Sequence, residues 1–167
     1  MSEMVKKVVM CSMLASLCCV ATMIIRIPTP LPNGYVNLGD CIVLLCGFIL
    51  SPLYGFLAAG AGSALADLLS GYIIYAPVTF AIKGIMALVA FFGFRLLRKK
   101  ASRLISQIIS CAVAEIIMVM GYFVFEGFLY GFIPSAVNIP ANAMQALAGL
   151  VLGVLIVRAF EKYKLVL

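Results

Sequence analysis

Long apolar segments follow one another along almost the whole chain, and their length constrains the fold more than any other feature. A helix needs roughly 20 apolar residues to cross a hydrocarbon core of about 30 Å. Only 11% of the 167 residues are charged, against about 25% in a soluble domain, whose surface must face water. The sequence therefore predicts an all-α integral membrane protein, a six-helix transmembrane bundle that forms a single domain over residues 1–167. The predicted helices are at about residues 4–25, 40–50, 53–70, 78–97, 104–125 and 141–160.

Three features interrupt this pattern. Prolines 28, 30 and 32 exclude a regular helix, so residues 26–39 are predicted to form an outer capping loop. The second apolar run is short, which predicts a span that is tilted or broken at Gly47. Residues 126–140 contain glycines and prolines and are predicted to form the loop before the last helix.

The basic residues predict the orientation. Ten of the twelve lie in segments that six spans place on one side, namely Lys6, Lys7, Arg95, Arg98, Lys99, Lys100, Arg103, Arg158, Lys162 and Lys164. The opposite side has Arg26, and Lys83 lies within a helix. Because cytoplasmic loops carry the excess of Lys and Arg, both termini are predicted to be cytoplasmic. The net charge of +6 then follows from topology and does not indicate nucleic-acid binding.

The composition argues against several functions. Histidine is absent and the six cysteines form no CxxC pair, so no metal site and no bound cofactor are expected. A membrane-embedded lipid enzyme would need a nucleophile or an acid/base pair at the membrane surface, and none is recognisable. We therefore expect a protein that is not an enzyme. The chain also has no P-loop, so any ATP must be used by other subunits.

Charged residues inside apolar segments demand an explanation, because burying a charge in the membrane is costly. Asp67 and Lys83 lie at similar depth on successive helices, either as a structural ion pair or as walls of a ligand cavity. Glu115 has no charged neighbour in sequence; it is either protonated, bonded to Tyr122 or Ser110, or in contact with a ligand.

Uncharged polar residues gather in the outer half of the predicted bundle. Asn138, Asn142 and Gln145 recur at helical spacing, as expected for interhelical hydrogen bonds or for an amide wall facing a ligand. Five of the seven tyrosines fall in the same half, Tyr35, Tyr72, Tyr75, Tyr122 and Tyr130. An interfacial aromatic belt would place tyrosines on both sides, so stacking on a flat ligand better explains the excess.

Several ordered motifs together carry a family resemblance. They are Ile25-Arg-Ile-Pro28, Gly34-Tyr-Val-Asn-Leu-Gly-Asp40, Gly62-Ser-Ala-Leu-Ala-Asp-Leu-Leu-Ser-Gly-Tyr72, Tyr75-Ala-Pro-Val-Thr79, Lys83-Gly84, Glu115 and Asn142-x-x-Gln145. The set resembles the substrate-binding S components of energy-coupling factor (ECF) vitamin transporters, most closely the riboflavin-type branch. The resemblance covers nearly the whole chain.

This resemblance implies a subunit that captures a small water-soluble vitamin or precursor in its outer half, for example a pyridine or pyrimidine alcohol or riboflavin. It implies as partners a transmembrane coupling subunit and two cytoplasmic ATPases, in the plasma membrane of a bacterium. The candidate ligand contacts are Asn37, Asp40, Tyr72, Tyr75, Lys83, Glu115, Asn142 and Gln145. The coupling subunit is expected to contact Ser12 and Ser16, which stand where the family has alanines.

A different class of function stays open from the residues alone. A stand-alone small transporter could use Glu115 as its proton site. Uptake that needs only the isolated protein and a proton gradient would distinguish it from a subunit that is silent without ATPase partners.

Overall fold

The structure of the protein is a computed structural model that describes residues 2–28 and 35–162. Over these ranges the chain forms seven helices and one two-stranded hairpin. The elements in order are α1 (Glu3–Ile24), β1 (Arg26–Pro28), β2 (Tyr35–Asn37), α2 (Asp40–Ile49), α3 (Pro52–Leu69), α4 (Ala76–Leu97), α5 (Arg103–Tyr130), α6 (Phe132–Ala136) and α7 (Ile139–Glu161).

The predicted all-α bundle is confirmed. Within the described ranges, five helical segments are long and apolar enough to cross a membrane: α1, α3, α4, α5 and the stretch Phe132–Glu161 that joins α6 to α7. The second predicted helix forms as α2, but its ten residues rise only about 15 Å, half of a hydrocarbon core. Its residues 40–48 are buried against α1, α3, α4 and α7. It is therefore a central packing element rather than a tilted or broken span, and Gly47 lies within a continuous helix.

Close approach between α1 and α3 follows from small residues. A side chain at Gly62 would overlap the carbonyl oxygen of Ala15 on α1. Ala58 and Ala66, one turn before and after Gly62, are also buried. Small residues at this spacing let helices pack backbone to backbone.

The turn from α3 to α4 is built by a glycine. Gly71 has φ +85°, a backbone conformation that side chains disfavour. Its N–H donates to the carbonyl of Leu68 at 3.2 Å, and the Tyr72 N–H donates to the carbonyl of Asp67 at 2.8 Å. This pair of bonds is the Schellman motif. This motif ends α3 just beyond Asp67. The short turn that follows leads to Tyr75, the N-cap of α4.

The prediction that residues 126–140 form a loop is largely wrong. Helix α5 continues to Tyr130 and ends where Gly131 adopts φ +93°, and the short helix α6 follows at once. The apolar residues Phe128 and Leu129 favour continuation, and Gly127 has helical geometry that costs only about 1 kcal/mol relative to alanine. Glu126 therefore belongs to a helix and is buried.

The capping loop also has more structure than expected. Arg26 to Pro28 pairs antiparallel with Tyr35 to Asn37, so the two described ends of the loop form a hairpin. Residues 29–34, which include two of the three prolines of the predicted loop, lie outside the described ranges.

The basic segments share one end of the bundle. Lys6, Lys7 and Arg95 line a groove together with the turn between α2 and α3. At the same end, Arg103 at the start of α5 forms a 2.5 Å ion pair with Glu161 at the end of α7. Since α1, α4, α5 and α7 cross between ends, the hairpin and the α3–α4 turn lie at the other end, referred to below as the hairpin end.

Candidate functional site

The described residues that line a cavity at the hairpin end all have polar side chains. Four carry amides: Asn37, Asn138, Asn142 and Gln145. Six carry hydroxyls: Thr22, Tyr35, Ser63, Tyr75, Thr79 and Tyr122. Three are charged: Asp67, Lys83 and Glu126. They come from α1, β2, α3, α4, α5 and α7, or from residues at helix ends, so the cavity requires nearly the whole bundle to be assembled.

The space inside the cavity is narrow. Its volume is about 30 Å³. Pockets for small molecules span roughly 300–1,000 Å³, so side chains must move apart to seat a ring in this cavity.

A chain of polar contacts connects the hairpin to the floor of the cavity. Lys83 on α4 forms a buried ion pair with Asp40, the first residue of α2. The other oxygen of Asp40 accepts a 2.6 Å hydrogen bond from Nε2 of Gln145 on α7. Oε1 of Gln145 in turn accepts from the backbone N–H of Asn37 at 2.8 Å. Gln145 therefore connects α7 to both β2 and α2.

The prediction that Asp67 and Lys83 form an ion pair is wrong, because Lys83 has a different partner. Both side chains line the cavity, but Lys83 pairs with Asp40. Oδ1 of Asp67 instead accepts a 2.5 Å hydrogen bond from the Tyr35 hydroxyl. The reason is that α2 packs directly against α4 and presents its first residue, Asp40, to the lysine.

Tyr35 and Tyr72 form an aromatic pair over the hairpin side of the cavity. Their ring centroids are 4.7 Å apart. Burial, and then the neighbouring Asp67 carboxylate, raise the pKa of the Tyr35 phenol, so it stays protonated and acts as the donor to Asp67. The hairpin is thereby tied to α3 as well as to α7.

A second buried carboxylate lies on the opposite wall. Both oxygens of Glu126 accept from Nδ2 of Asn138, at 3.1 and 3.2 Å, and the Tyr75 hydroxyl donates to one of them at 3.4 Å. Sequence reasoning missed Glu126 as a site residue because it fell in the predicted loop. Its signal was present in the spacing: Glu115, Tyr122 and Glu126 recur at i, i+7 and i+11, one face of a helix.

Tyr122 joins this wall to α4. Its hydroxyl is 3.0 Å from that of Thr79, and the Lys83 ammonium lies 5.5 Å from its ring centroid. A cation at this distance from an aromatic face is attracted to it. Neither the predicted Glu115–Tyr122 bond nor the predicted Glu115–Ser110 bond forms, because Tyr122 engages Thr79 and Ser110 bonds the backbone of Ser106.

The structure thus sorts the predicted ligand contacts into two groups. Asn37, Tyr75, Lys83, Asn142 and Gln145 all line the cavity. Asp40, Tyr72 and Glu115 are not among the residues that line it.

Each of these three residues contacts other residues of the bundle. Asp40 holds Lys83 and Gln145, and Tyr72 stacks on Tyr35. Glu115 packs where a side chain at Gly149 would overlap its Oε1 and would come within 2.8 Å of the Asp40 Cβ. Neither oxygen of Glu115 has a hydrogen-bond partner among the described residues.

A separate surface lies along α1. Ser12 and Ser16 are exposed and form a shallow groove with Met13, Leu17 and Val20. The opposite face of α1 is buried on the bundle. The two serines therefore lie on the face of α1 that points away from the rest of the chain.

The fold is that of a helical membrane protein with a polar cavity among its helices. The family model for the S component of the ECF-type riboflavin transporter matches residues 2–162. The chain belongs to this family, which confirms the resemblance seen in the sequence. It is a vitamin-type substrate-binding subunit of an ECF transporter, embedded in the membrane, and the S components that form its family are not enzymes.

Individual proteins are similar to this chain in sequence or in fold. An uncharacterised protein from the gap 3′ region of Pyrococcus woesei is 34% identical over 135 residues, 80% of this chain and 87% of that protein. The S component of a bacterial ECF transporter matches with a TM-score of 0.72 at 22% identity, over 96% of this chain and 98% of that one. The biotin S component of an ECF-type ABC transporter matches with a TM-score of 0.74 at 16% identity, over 97% and 95% of the two chains. At these identities the two structures show a shared fold.

Proposed function

We propose that this subunit captures a small, water-soluble heteroaromatic vitamin or vitamin precursor in the cavity at its hairpin end, which faces the outside of the cell. The observation that supports this most is the polar lining itself. Sixteen polar or charged side chains are buried among the described residues, and most of the cavity wall belongs to this set. Burying polar groups in a membrane protein is costly unless they are hydrogen-bonded. A cavity lined by such groups can offer hydrogen bonds to a polar ligand.

The identity of the ligand can be tested directly. The subunit is purified without added ligand, denatured, and the released small molecules are identified by mass spectrometry. We expect a heteroaromatic vitamin or vitamin precursor, for example a pyridine or pyrimidine alcohol or riboflavin, at close to one molecule per protein. Release of lipid alone from a preparation that also fails to bind any vitamin precursor would contradict the proposal.

We further propose that both termini and the turn between α4 and α5 face the cytoplasm. The basic residues that share that end of the bundle support this orientation. Lys164 lies outside the described ranges.

Cysteine labelling tests the orientation. On a background without native cysteines, a Lys100→Cys protein is expected to resist a membrane-impermeant maleimide in intact cells and to react after permeabilisation. The matched control is Ile73→Cys, in the α3–α4 turn at the hairpin end, where the native residue is 66% exposed and where labelling from outside is expected. The reverse pattern would refute the orientation.

The partners are proposed to be a transmembrane coupling subunit and two cytoplasmic ATPases, with ATP used only by the latter. The exposed groove at Ser12 and Ser16 supports a contact on α1, since small residues allow another helix to approach closely.

Filling this groove with larger side chains is expected to impair assembly without affecting ligand binding. A protein with both Ser12→Leu and Ser16→Leu should bind its ligand with unchanged affinity but should co-purify with coupling subunit and ATPases at less than about a third of the wild-type yield, because two leucines block close helix approach. Ala143→Leu is the matched control, since it enlarges an exposed small residue on α7. Wild-type yield of complex from the double leucine protein would rule out this contact.

A stand-alone proton-coupled transporter is the second candidate. The observation that favours it is Glu115, whose buried carboxyl group has no hydrogen-bond partner among the described residues. Under this alternative Glu115→Gln would abolish uptake without a coupling module being present. Under the main proposal there is no such uptake to abolish.

A further inference from the structure

A groove at the end of the bundle away from the hairpin combines positive charge with an apolar wall. It forms where the start of α1, the turn from α2 to α3 and the last turns of α4 meet, and its volume is about 470 Å³. Sites for small molecules span roughly 300–1,000 Å³, so this groove is large enough to seat part of another molecule. It is called the basic groove below, and its lining includes Lys6, Lys7, Arg95, Met10, Leu50 and Phe91.

The charge of the basic groove is positive. Lys6, Lys7 and Arg95 are all exposed, and the described residues that line the groove include no acidic side chain. Lys6 forms a 2.9 Å ion pair with Glu3, but both side chains are more than half exposed, and a surface pair of this kind contributes little. Glu161, the other described acidic residue at this end, is paired with Arg103. Even with Glu3 counted, the cations are in excess.

The Arg95 side chain is positioned by an aromatic ring. Its guanidinium carbon lies 4.9 Å from the centroid of the Phe91 ring, and Phe91 is itself buried. A guanidinium stacked on an aromatic face keeps the N–H donors at its edge free to bind an anion. The groove therefore has a held donor group as well as two mobile lysines.

The depth of these residues matches a membrane surface. Helices α1 and α4 each have 22 residues and so rise about 33 Å, slightly more than a hydrocarbon core of about 30 Å. Lys6 and Lys7 lie near the start of α1, and Arg95 lies in the last turn of α4. Met10 and Phe91 lie about one turn further into the bundle on the same two helices. The groove thus has cations at the depth of lipid headgroups and apolar side chains at the depth of acyl chains.

From this arrangement we infer that the basic groove binds one anionic phospholipid. Its phosphate is held by Lys6, Lys7 and Arg95, and the start of an acyl chain lies against Met10 and Phe91. Phosphate oxygens accept charge-assisted hydrogen bonds from both kinds of side chain, and the arginine fork can hold two oxygens at once. A free phosphate ion would gain nothing from the apolar wall, and a zwitterionic lipid has an ammonium that opposes the attraction. This site is separate from the cavity at the hairpin end, so the inference does not depend on the proposed vitamin ligand.

Two lipids with the same acyl chains test the headgroup. The full-length subunit, purified and delipidated in detergent, is titrated with phosphatidylglycerol or with phosphatidylethanolamine, and bound lipid is counted by native mass spectrometry. Each nearby Lys or Arg strengthens the attraction of an anionic lipid surface about fivefold. We therefore expect one phosphatidylglycerol per protein, bound at least about tenfold more tightly than phosphatidylethanolamine.

A triple variant tests the residues of the groove. The protein with Lys6→Gln, Lys7→Gln and Arg95→Gln should fold, because all three side chains are exposed, and its preference for phosphatidylglycerol should fall below about threefold. The matched control makes the same change in net charge at the same end of the bundle, in exposed residues of the α4–α5 turn that do not line the groove: Arg98→Gln, Lys99→Gln and Lys100→Gln. The control should keep the tenfold preference.

The remaining outcomes would overturn the inference. Equal affinity for the two lipids would do so, and so would a groove variant that keeps the wild-type preference. Loss of the preference in both triple variants alike would show only a general attraction between a basic protein and anionic lipid. An acidic segment of a partner protein is the other occupant that the charge suits. If the groove variant keeps its lipid preference but no longer co-purifies with the coupling subunit, the groove is a protein contact and the inference fails.

Discussion

Replacing Lys83 by methionine will lower the free energy of unfolding by about 3–5 kcal/mol, the usual consequence of removing one partner of a buried ion pair. The lysine and its partner Asp40 are at most 3% exposed. Without the ammonium, the Asp40 carboxylate is left beside Glu115 in the centre of the bundle. Methionine fills a similar volume, so the loss reports the missing charge rather than a cavity. Reversible unfolding in mixed detergent micelles measures the change.

A double variant provides the control for this effect. Asp40→Asn together with Lys83→Met removes both charges. In the wild type Gln145 donates to Asp40 at 2.6 Å, and the asparagine retains an acceptor oxygen for this bond. We expect it to recover at least half of the lost stability, because no uncompensated charge remains at the pair. A Lys83→Met protein as stable as the wild type would show that the Asp40–Lys83 pair does not hold the bundle together.

Replacing Gln145 by leucine will weaken ligand binding roughly 5- to 150-fold, the range that corresponds to about 1–3 kcal/mol for a buried polar group left without its partner. The change leaves both the Asn37 N–H and one Asp40 oxygen without a partner. It also removes an amide from the cavity wall. The hairpin then loses its bond to α7, so closing it over the ligand costs more conformational entropy. Calorimetric titration with the co-purifying ligand measures the effect.

Gln107→Leu is the matched control. Gln107 is also a buried glutamine bonded to an acidic side chain, Glu161, but it lies on α5 at the end of the bundle away from the cavity. It should lower stability and leave affinity unchanged. Asn142→Ala, which removes an amide from the cavity wall, should weaken binding as Gln145→Leu does. Unchanged affinity in both Asn142→Ala and Gln145→Leu would show that the ligand binds elsewhere.

Much of the fold could be predicted from the sequence because helix length and hydrophobicity are local properties. The apolar runs gave the helices, and the basic residues correctly grouped the segments that meet at one end of the bundle. The row of amide side chains at the start of α7 and the excess of tyrosines predicted which half of the bundle holds the cavity. These signals come from spacing along one helix and need no knowledge of how helices pack.

The partners of the buried charges could not be predicted in this way. Sequence proximity favoured Asp67 for Lys83, yet the lysine pairs with Asp40, 43 residues away, because α2 lies against α4. That placement depends on α2 being too short to span and buried within the bundle. Glu126 was missed for a local reason, since Gly127 and the later prolines resembled a helix end while the backbone continued to Gly131.

Uptake of the identified ligand, with and without the coupling module, measures most directly whether this chain is a capture subunit. Proteoliposomes containing the chain alone should bind the ligand but accumulate none, even under a proton gradient. Adding the coupling subunit and the ATPases with ATP should produce uptake, and the Ser12→Leu/Ser16→Leu protein should remain near the background. Proton-driven accumulation by the chain alone, lost on Glu115→Gln, would contradict the proposed function and establish a stand-alone transporter.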